Sequence, residues 1–308
     1  MSIAAALPAG GHHAPSAGPA PSSRSKFTPY FLLLPAGLAL IVFYVLPTLT
    51  LATTSLQTGS LEQGYTLTWH WPTYGEVLSQ YWPQFARSFG YAAGATILAL
   101  LIAYPLAYTI AFKAGRFRTL MLTLVVAPFF TSFLIRTLAW RQILADEGPV
   151  VSFMKATGLM HLTDALGMTQ GRVLATGLAV VIGLAYNFLP FMTLPLYNSL
   201  EKIDRGLLKA SEDLYANSWT TFWKVTWPLS LPGVVGGTLL TFIPAAGDYV
   251  NQQFLGTISN TMTGNAIDSL FLQQRQYPQA AALSLVLMVA IIVLVSVYVK
   301  RAGTEELV

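Results

Sequence analysis

Hydrophobic positions along the 308 residues gather into long stretches without charge, separated by short polar segments. Counting charge-free intervals predicts six membrane spans: Phe27–Leu61, Ser88–Phe112, Thr119–Ile135, Val173–Leu200, Val225–Gly247 and Gln276–Val299. Each supplies a segment near the ~20 apolar residues that a helix needs to cross a hydrocarbon core. The third is the shortest, and the pattern carries it past Arg136 toward Trp140. Another charge-free stretch, Tyr249–Ile267, is not read as a span. Its amides, hydroxyls and glycines would place polar groups where lipid offers no hydrogen-bond partner. The expected fold is an all-α membrane protein, a bundle of six transmembrane helices.

Prolines fall inside several spans (Pro35, Pro47, Pro105, Pro128, Pro190, Pro195 and Pro244), and each removes a backbone donor and favours a kink. Small residues, among them Ala92, Ala93, Gly94, Gly236 and Gly237, predict close helix contact in the second and fifth spans. Residues 1–26 are rich in Ala, Pro, Gly and Ser, a composition that buries too little apolar surface to order itself. The apolar run that follows is too long for a secretory signal and is read as an uncleaved first span. The organisation expected is a disordered tail over 1–26, a membrane domain over 27–300 and a short C-terminal tail over 301–308.

Composition agrees with this class: 54% of residues are hydrophobic and 10% charged, against roughly 25% charged in soluble domains. The formal charge of +4 is carried by loops flanking apolar spans, and no basic run suits nucleic acid. Of the 17 Lys and Arg, eleven fall on the side of the N-terminus: Arg24, Lys26, Lys113, Arg116, Arg118, Lys202, Arg205, Lys209, Lys224, Lys300 and Arg301. That excess predicts cytoplasmic termini in a multi-pass protein of the bacterial inner membrane. The first outer loop, Thr53–Ala86, has only Glu62 and Glu76 as charges up to its last residue. It gathers Trp69, Trp71, Tyr81 and Trp82, rings suited to a membrane interface.

Several chemistries are excluded by what the chain lacks. There is no cysteine, so disulfides, thiolate metal sites and cysteine nucleophiles are out. No Gly-Lys pair occurs, so there is no P-loop and no ATP site of that kind. His12, His13, His70 and His161 are scattered, and no metal site is expected from them. Near the spans, Asp248, Tyr249, Asn251 and Gln252 are the candidate lining of a polar substrate pathway, with Asp248 suited to attract a cation. Arg136 is read as a structural ion-pair partner or a snorkelling group rather than a substrate contact.

The connection between the fourth and fifth spans, about 201–232, differs from every other loop. It is amphipathic and carries both charge signs, with Leu207, Leu208, Leu214 and Trp219 near helical spacing and Pro228 and Pro232 at its exit. A helix over 207–219 fits a groove on another protein, and its acidic residues disfavour a position on an anionic leaflet. The segment resembles the EAA loop of ABC importer permeases: Glu-Ala-Ala, three residues, Gly, nine residues, Ile, one residue, Leu-Pro. Lys209-Ala210-Ser211 stand at its start, Tyr215 at the glycine, Val225 at the isoleucine and Trp227-Pro228 at the Leu-Pro, without a gap. Further stretches resemble the spermidine/putrescine-type branch: APFFTSFLIRTLAW at 127–140, YNFLPFMTLPLYNSLEKID at 186–204 and PAAGDYVNQQFLG at 244–256.

The resemblance implies a type I importer permease with a cytoplasmic coupling helix. Lys209, Ala210, Ser211, Glu212, Asp213, Leu214, Tyr215 and Ala216 would engage the partner. The chain itself would hold no cofactor, ATP and Mg residing on separate ATPase subunits. Its other partners would be a second permease subunit (a paralogue or a second copy), an extracytoplasmic substrate-binding protein and the bilayer. Two departures stand out, Lys209 for the family's glutamate and Tyr215 for its glycine. Because tyrosine avoids positive φ, the left-handed residue that ends the helix is expected at Asn217 instead. The resemblance makes a polyamine the expected substrate; an importer permease for another small solute, a secondary transporter and a non-transporting scaffold are the competing readings, and in a secondary transporter the loop would lack a purpose.

Overall fold

A computed structural model describes residues 28–169 and 171–302; the predicted tail over 1–26 and residues 303–308 lie outside them. The chain divides into two units, one ending at Thr50 and the other beginning at Leu51. In the first, α1 (Thr28–Leu40) passes through a π-helical turn, Ile41–Val45, into α2 (Leu46–Ser55). Helix continues across both predicted prolines, Pro35 and Pro47.

The boundary falls within α2, and past the end of that helix the second unit holds a feature absent from the all-α expectation. A two-stranded antiparallel hairpin, β1 (Gln57–Ser60) and β2 (Gly64–Leu67), pairs Gln57 with Leu67. Helix α3 then runs from Pro72 to Phe112, 41 residues or about 60 Å, twice a hydrocarbon core. Residues 72–86, read from the sequence as loop, are therefore its first four turns. Proline at the first helical position lacks an N–H that would be unpaired there in any case and its fixed φ suits a helix, so the chain readily starts one at Pro72. An alanine stripe at Ala92, Ala95, Ala99, Ala103 and Ala107 is fully buried. Its three- and four-residue spacing lets a neighbouring backbone lie close.

The third expected span is not one straight helix. α4 (Arg118–Val126) tightens into a 3₁₀ turn, Ala127–Phe130, and α5 (Phe133–Ile143) leaves at 98° to it. Pro128 sits inside the 3₁₀ turn and Thr131 is extended, its N–H and hydroxyl both donating to the Pro128 carbonyl. The proline takes away a ladder donor and the chain breaks there. Two short helices, α6 (Pro149–Thr157) and α7 (Leu159–Ala165), precede α8 (Gly177–Glu201). After α9 (Arg205–Asp213) and α10 (Ser218–Thr221) comes a π-helical turn, Phe222–Thr226, that feeds α11 (Trp227–Ala246). The segment set aside as a non-span is broken up: α12 (Val250–Leu255), a 3₁₀ turn and α13 (Thr263–Asp268) occupy it. A π-helical turn at Ser269–Gln273 leads to α14 (Tyr277–Ala302).

The described residues thus hold five helices long and apolar enough to cross a membrane, and six crossings if the bent pair is one. The core lies where α3, α8 and α11 pack together. Glycine decides the closest approach. A Cβ on Gly233 would stand 2.6 Å from the Ser199 Cβ, and one on Gly237 2.8 Å from the Met192 sulfur. Gly236, singled out from the sequence, has only the Pro195 Cβ near it, at an ordinary 3.8 Å.

Candidate functional site

The α8–α11 connection is built on fixed ends. Arg118 at the start of α4 pairs with Glu201 at the end of α8. Arg205 reaches the carbonyl of Ala111 near the end of α3 at 3.5 Å. Asp204 caps α9, its Oδ1 accepting the Gly206 N–H at 2.8 Å, and so satisfies one orphan donor of the first turn. The carboxylate also complements the positive end of the helix.

The predicted single helix over 207–219 is instead a helix, a reversal and a second helix. Ala216 N–H donates to Ser211 O at 3.0 Å and Tyr215 N–H to Glu212 O at 2.9 Å. That 6→1 and 5→2 pair is a Schellman motif, with Tyr215 at the position glycine favours. Tyr215 has φ +57°. Asn217, expected to be the left-handed residue, is extended at φ −75° and ψ 163°. Its side chain is spent as the cap of α10, accepting the Thr220 N–H at 2.8 Å. The left-handed residue stands three positions after Glu212, whose carbonyl its own N–H satisfies, so the backbone pattern overrides tyrosine's preference.

This geometry turns the segment outward. Leu214 is 81% and Tyr215 99% exposed, and Lys209, Ala210, Glu212 and Asp213 are exposed beside them. Ala216 is half-buried. Ser211 alone of the eight predicted residues points inward, its hydroxyl bonding Leu208 O at 2.7 Å and Thr221 Oγ1 at 2.8 Å. Trp219 belongs to the same surface at 70% exposure. Behind it a cavity of about 600 Å³ opens between α8, α9 and α11, lined by Asn198, Lys202, Asp204, Leu207 and Pro232.

Of the other predicted residues, Asp248 and Asn251 form a buried cluster. Asp248 accepts the Asn251 N–H at 2.7 Å on Oδ1 and the Asn251 amide at 3.2 Å on Oδ2. Asn251 Oδ1 in turn accepts from Asn187 Nδ2 at 2.8 Å and from the Thr137 hydroxyl at 3.4 Å. Gly183 makes room for this: a Cβ there would meet Leu255 at 2.3 Å and Asn251 Oδ1 at 3.0 Å. Gln252 is buried and donates to Thr257 O at 2.7 Å. Tyr249 is exposed, and its carbonyl accepts from Asn265. The structure thus joins Asp248 and Asn251 in a latch across α5, α8 and α12, and leaves Tyr249 and Gln252 outside it.

Asn187 and Thr137 are not among the residues expected from the sequence; the signal available was an asparagine midway along an apolar run. Arg136 is buried, and neither ion pair among the described residues, Arg118–Glu201 or Arg172–Asp146, includes it. Its guanidinium lies 5.2 Å from the Phe129 ring centre and 5.6 Å from that of Phe133, so cation–π contact takes the place of the expected carboxylate.

Comparison with known proteins agrees over nearly the whole chain. A family model described as "Binding-protein-dependent transport system inner membrane component" matches residues 25–302. The spermidine/putrescine transport system permease protein PotB of Haemophilus influenzae is 35% identical over 262 residues, covering 85% of this chain and 89% of that one. The Escherichia coli K12 protein of that name is 34% identical over 260 residues, 84% and 92% of the two chains. A chain of a bacterial alginate ABC transporter, solved with alginate pentasaccharide-bound periplasmic protein, has a TM-score of 0.64. It is 17% identical and is covered to 94%, against 90% of this chain.

Proposed function

Since the chain belongs to the family of binding-protein-dependent transport system inner membrane components, we propose that it is the permease subunit of an ATP-driven polyamine importer. The observation that carries the reading is the 205–228 segment: a capped helix, a Schellman reversal and a tip of Leu214 and Tyr215 exposed to solvent. A protruding tip on fixed ends is the shape of a docking element that fills a groove on another protein. We assign that groove to a cytoplasmic ATPase subunit, which would bring ATP and Mg.

The substrate class rests on the relatives named for spermidine and putrescine. The excess of Lys and Arg on the loop side of the docking element supports cytoplasmic termini. The hairpin then faces the outside, because it lies at the far end of α3 from the Ala111 carbonyl that Arg205 reaches. A binding protein would deliver substrate there, and a second permease, a paralogue or another copy, would complete the pathway. ATP binding would pull the docking elements and switch the pair between two access states of different affinity.

The test is reconstitution with the neighbouring ATPase, second permease and binding protein, following ATP-driven uptake of labelled spermidine and putrescine. Ala210→Asp and Asp213→Lys should abolish uptake. Loop-dependent ATP hydrolysis with a different solute would retain the importer and remove the polyamine assignment. A complex that forms without any ATPase would overturn both.

A further inference from the structure

Between the docking element and the core lies an aromatic stack whose geometry the transport reading leaves unused. It begins at Trp219, continues through Trp223 at 5.7 Å between ring centres, and reaches Trp227 after another 5.6 Å. Trp227 lies 5.3 Å from Tyr104 of α3, and Phe222 lies 5.6 Å from the same ring edge-on. These separations fall in the range where aromatic pairs attract beyond the area they bury.

Trp219, Trp223 and Trp227, four residues apart, share one helix face, and the π-helical turn Phe222–Thr226 adds Phe222 to it. The turn is closed by the Trp227 N–H on Phe222 O and carries more residues per turn than an α-helix. Thr221, just before the turn, is tied to Ser211 of α9 by the 2.8 Å hydroxyl contact. At the other end Ser230 donates to Trp227 O at 2.9 Å, which leaves the Tyr104 hydroxyl to donate to Ser230 Oγ at 2.8 Å. Exposure falls from 70% at Trp219 through 46% at Trp223 to 7% at Tyr104.

The stack ends against a weak point. Tyr104 precedes Pro105, where α3 lacks a ladder donor and bends most easily. We propose that Trp223, Trp227 and Tyr104 form a strut that carries displacement of the 205–217 docking element into α3 at its Pro105 interruption. These are positioning residues, and the inference rests on the importer reading above. A belt of interfacial rings is the simpler account, but it would turn polar ends toward water. Tyr104 spends its hydroxyl inward on Ser230, which is fully buried.

The experiment measures ATP hydrolysed per spermidine transported in the reconstituted complex. Trp227→Leu should raise that ratio by about two- to thirtyfold, the range over which side chains on a coupling route shift linkage, with the ATPase still co-purifying. Tyr104→Phe, which keeps the ring and loses one hydrogen bond, should fall near the low end. Trp227→Phe should restore the wild-type ratio. Should Trp227→Leu not assemble, Trp223→Leu carries the same test on a less buried ring. A parallel fall of uptake and hydrolysis, or no change in either, would overturn the strut. Ala210→Asp separates the two ideas. If it leaves transport intact, the docking assignment fails; if it blocks transport while the strut variants keep the ratio, the strut alone fails.

Discussion

Tyr215→Gly should strengthen the docking element while removing its most exposed ring. The left-handed conformation costs an L-residue about 1–2 kcal/mol. The freedom that glycine surrenders on folding returns about 0.5–1 kcal/mol of that gain. The ring contributes nothing to offset it, because at 99% exposure it packs against no other part of the chain. The net gain is about 0.5–1 kcal/mol, which slows local opening about two- to fivefold. Amide exchange at Tyr215 and Ala216, whose N–H groups close the Schellman pair, reads that opening directly. Tyr215→Ala separates backbone from ring, since it keeps the strain and loses the ring, and it should leave exchange unchanged. Equal exchange in the glycine variant and the parent would refute the strain argument. Slower exchange in the alanine variant would point to the ring instead.

Four further outcomes follow from the same geometry. Gly237→Val forces a branched side chain against the Met192 sulfur and should destabilise by about 1–3 kcal/mol, while Gly236→Ala, whose Cβ would meet only the Pro195 Cβ at 3.8 Å, should hold or raise the melting temperature. Asn187→Leu removes the donor shared by Thr137 and Asn251; an Asn251 amide left short of partners should cost about 1–3 kcal/mol in thermal unfolding. Asp164, in the connection before α8, is held below its ordinary pKa by the Gly171 N–H and then the Thr169 hydroxyl. A depressed carboxylate stabilises above its unfolded pKa and loses that as pH falls through the folded one, so exchange protection of the Gly171 N–H should hold at neutral pH and drop in acid. Lys209→Glu reverses a charge on an exposed helix face; it should change the association rate with the ATPase at low salt and lose that effect at high salt.

The spans were legible because lipid imposes one rule, apolar helix of sufficient length, and residues 177–201 and 277–302 obey it without exception. The 201–232 connection stood apart in the sequence because its spacing and mixed charge had no membrane purpose. What stayed hidden depended on backbone geometry that composition does not encode. Pro128 announced a kink, but a kink of a few degrees and a 98° break leave the same sequence trace. Residues 72–86 carry prolines, aromatics and a charge, and read as loop until Pro72 is recognised as a helix start. Asp248 and Asn251 were placed together by sequence proximity, whereas the helices they latch come from residues 137 and 187, too distant in the chain for a pattern to join.

The departures at 209 and 215 show which part of the twenty-residue motif carries the fold. Each fixed position coincides with a backbone event: residues 209–211 lie in the last turns of α9 and residue 215 is the left-handed reversal. Residue 225 lies in the π-helical turn, and Pro228 follows Trp227 in the first turn of α11. Helix already runs without a break from Ser218 to Ala246, so a proline there removes a ladder donor directly beside the π-helical turn. The spacing between these events is fixed by the hydrogen bonds that close α9 and by the cap that opens α10, so an insertion of one residue would leave Ser211 and Glu212 carbonyls unpaired. Residue identity is a weaker constraint, costing about 1–2 kcal/mol at the left-handed position and little on an exposed helix face. Under that hierarchy length constrains the loop more tightly than residue identity, so a lysine and a tyrosine occupy it while the tip still presents Leu214 and Tyr215 outward.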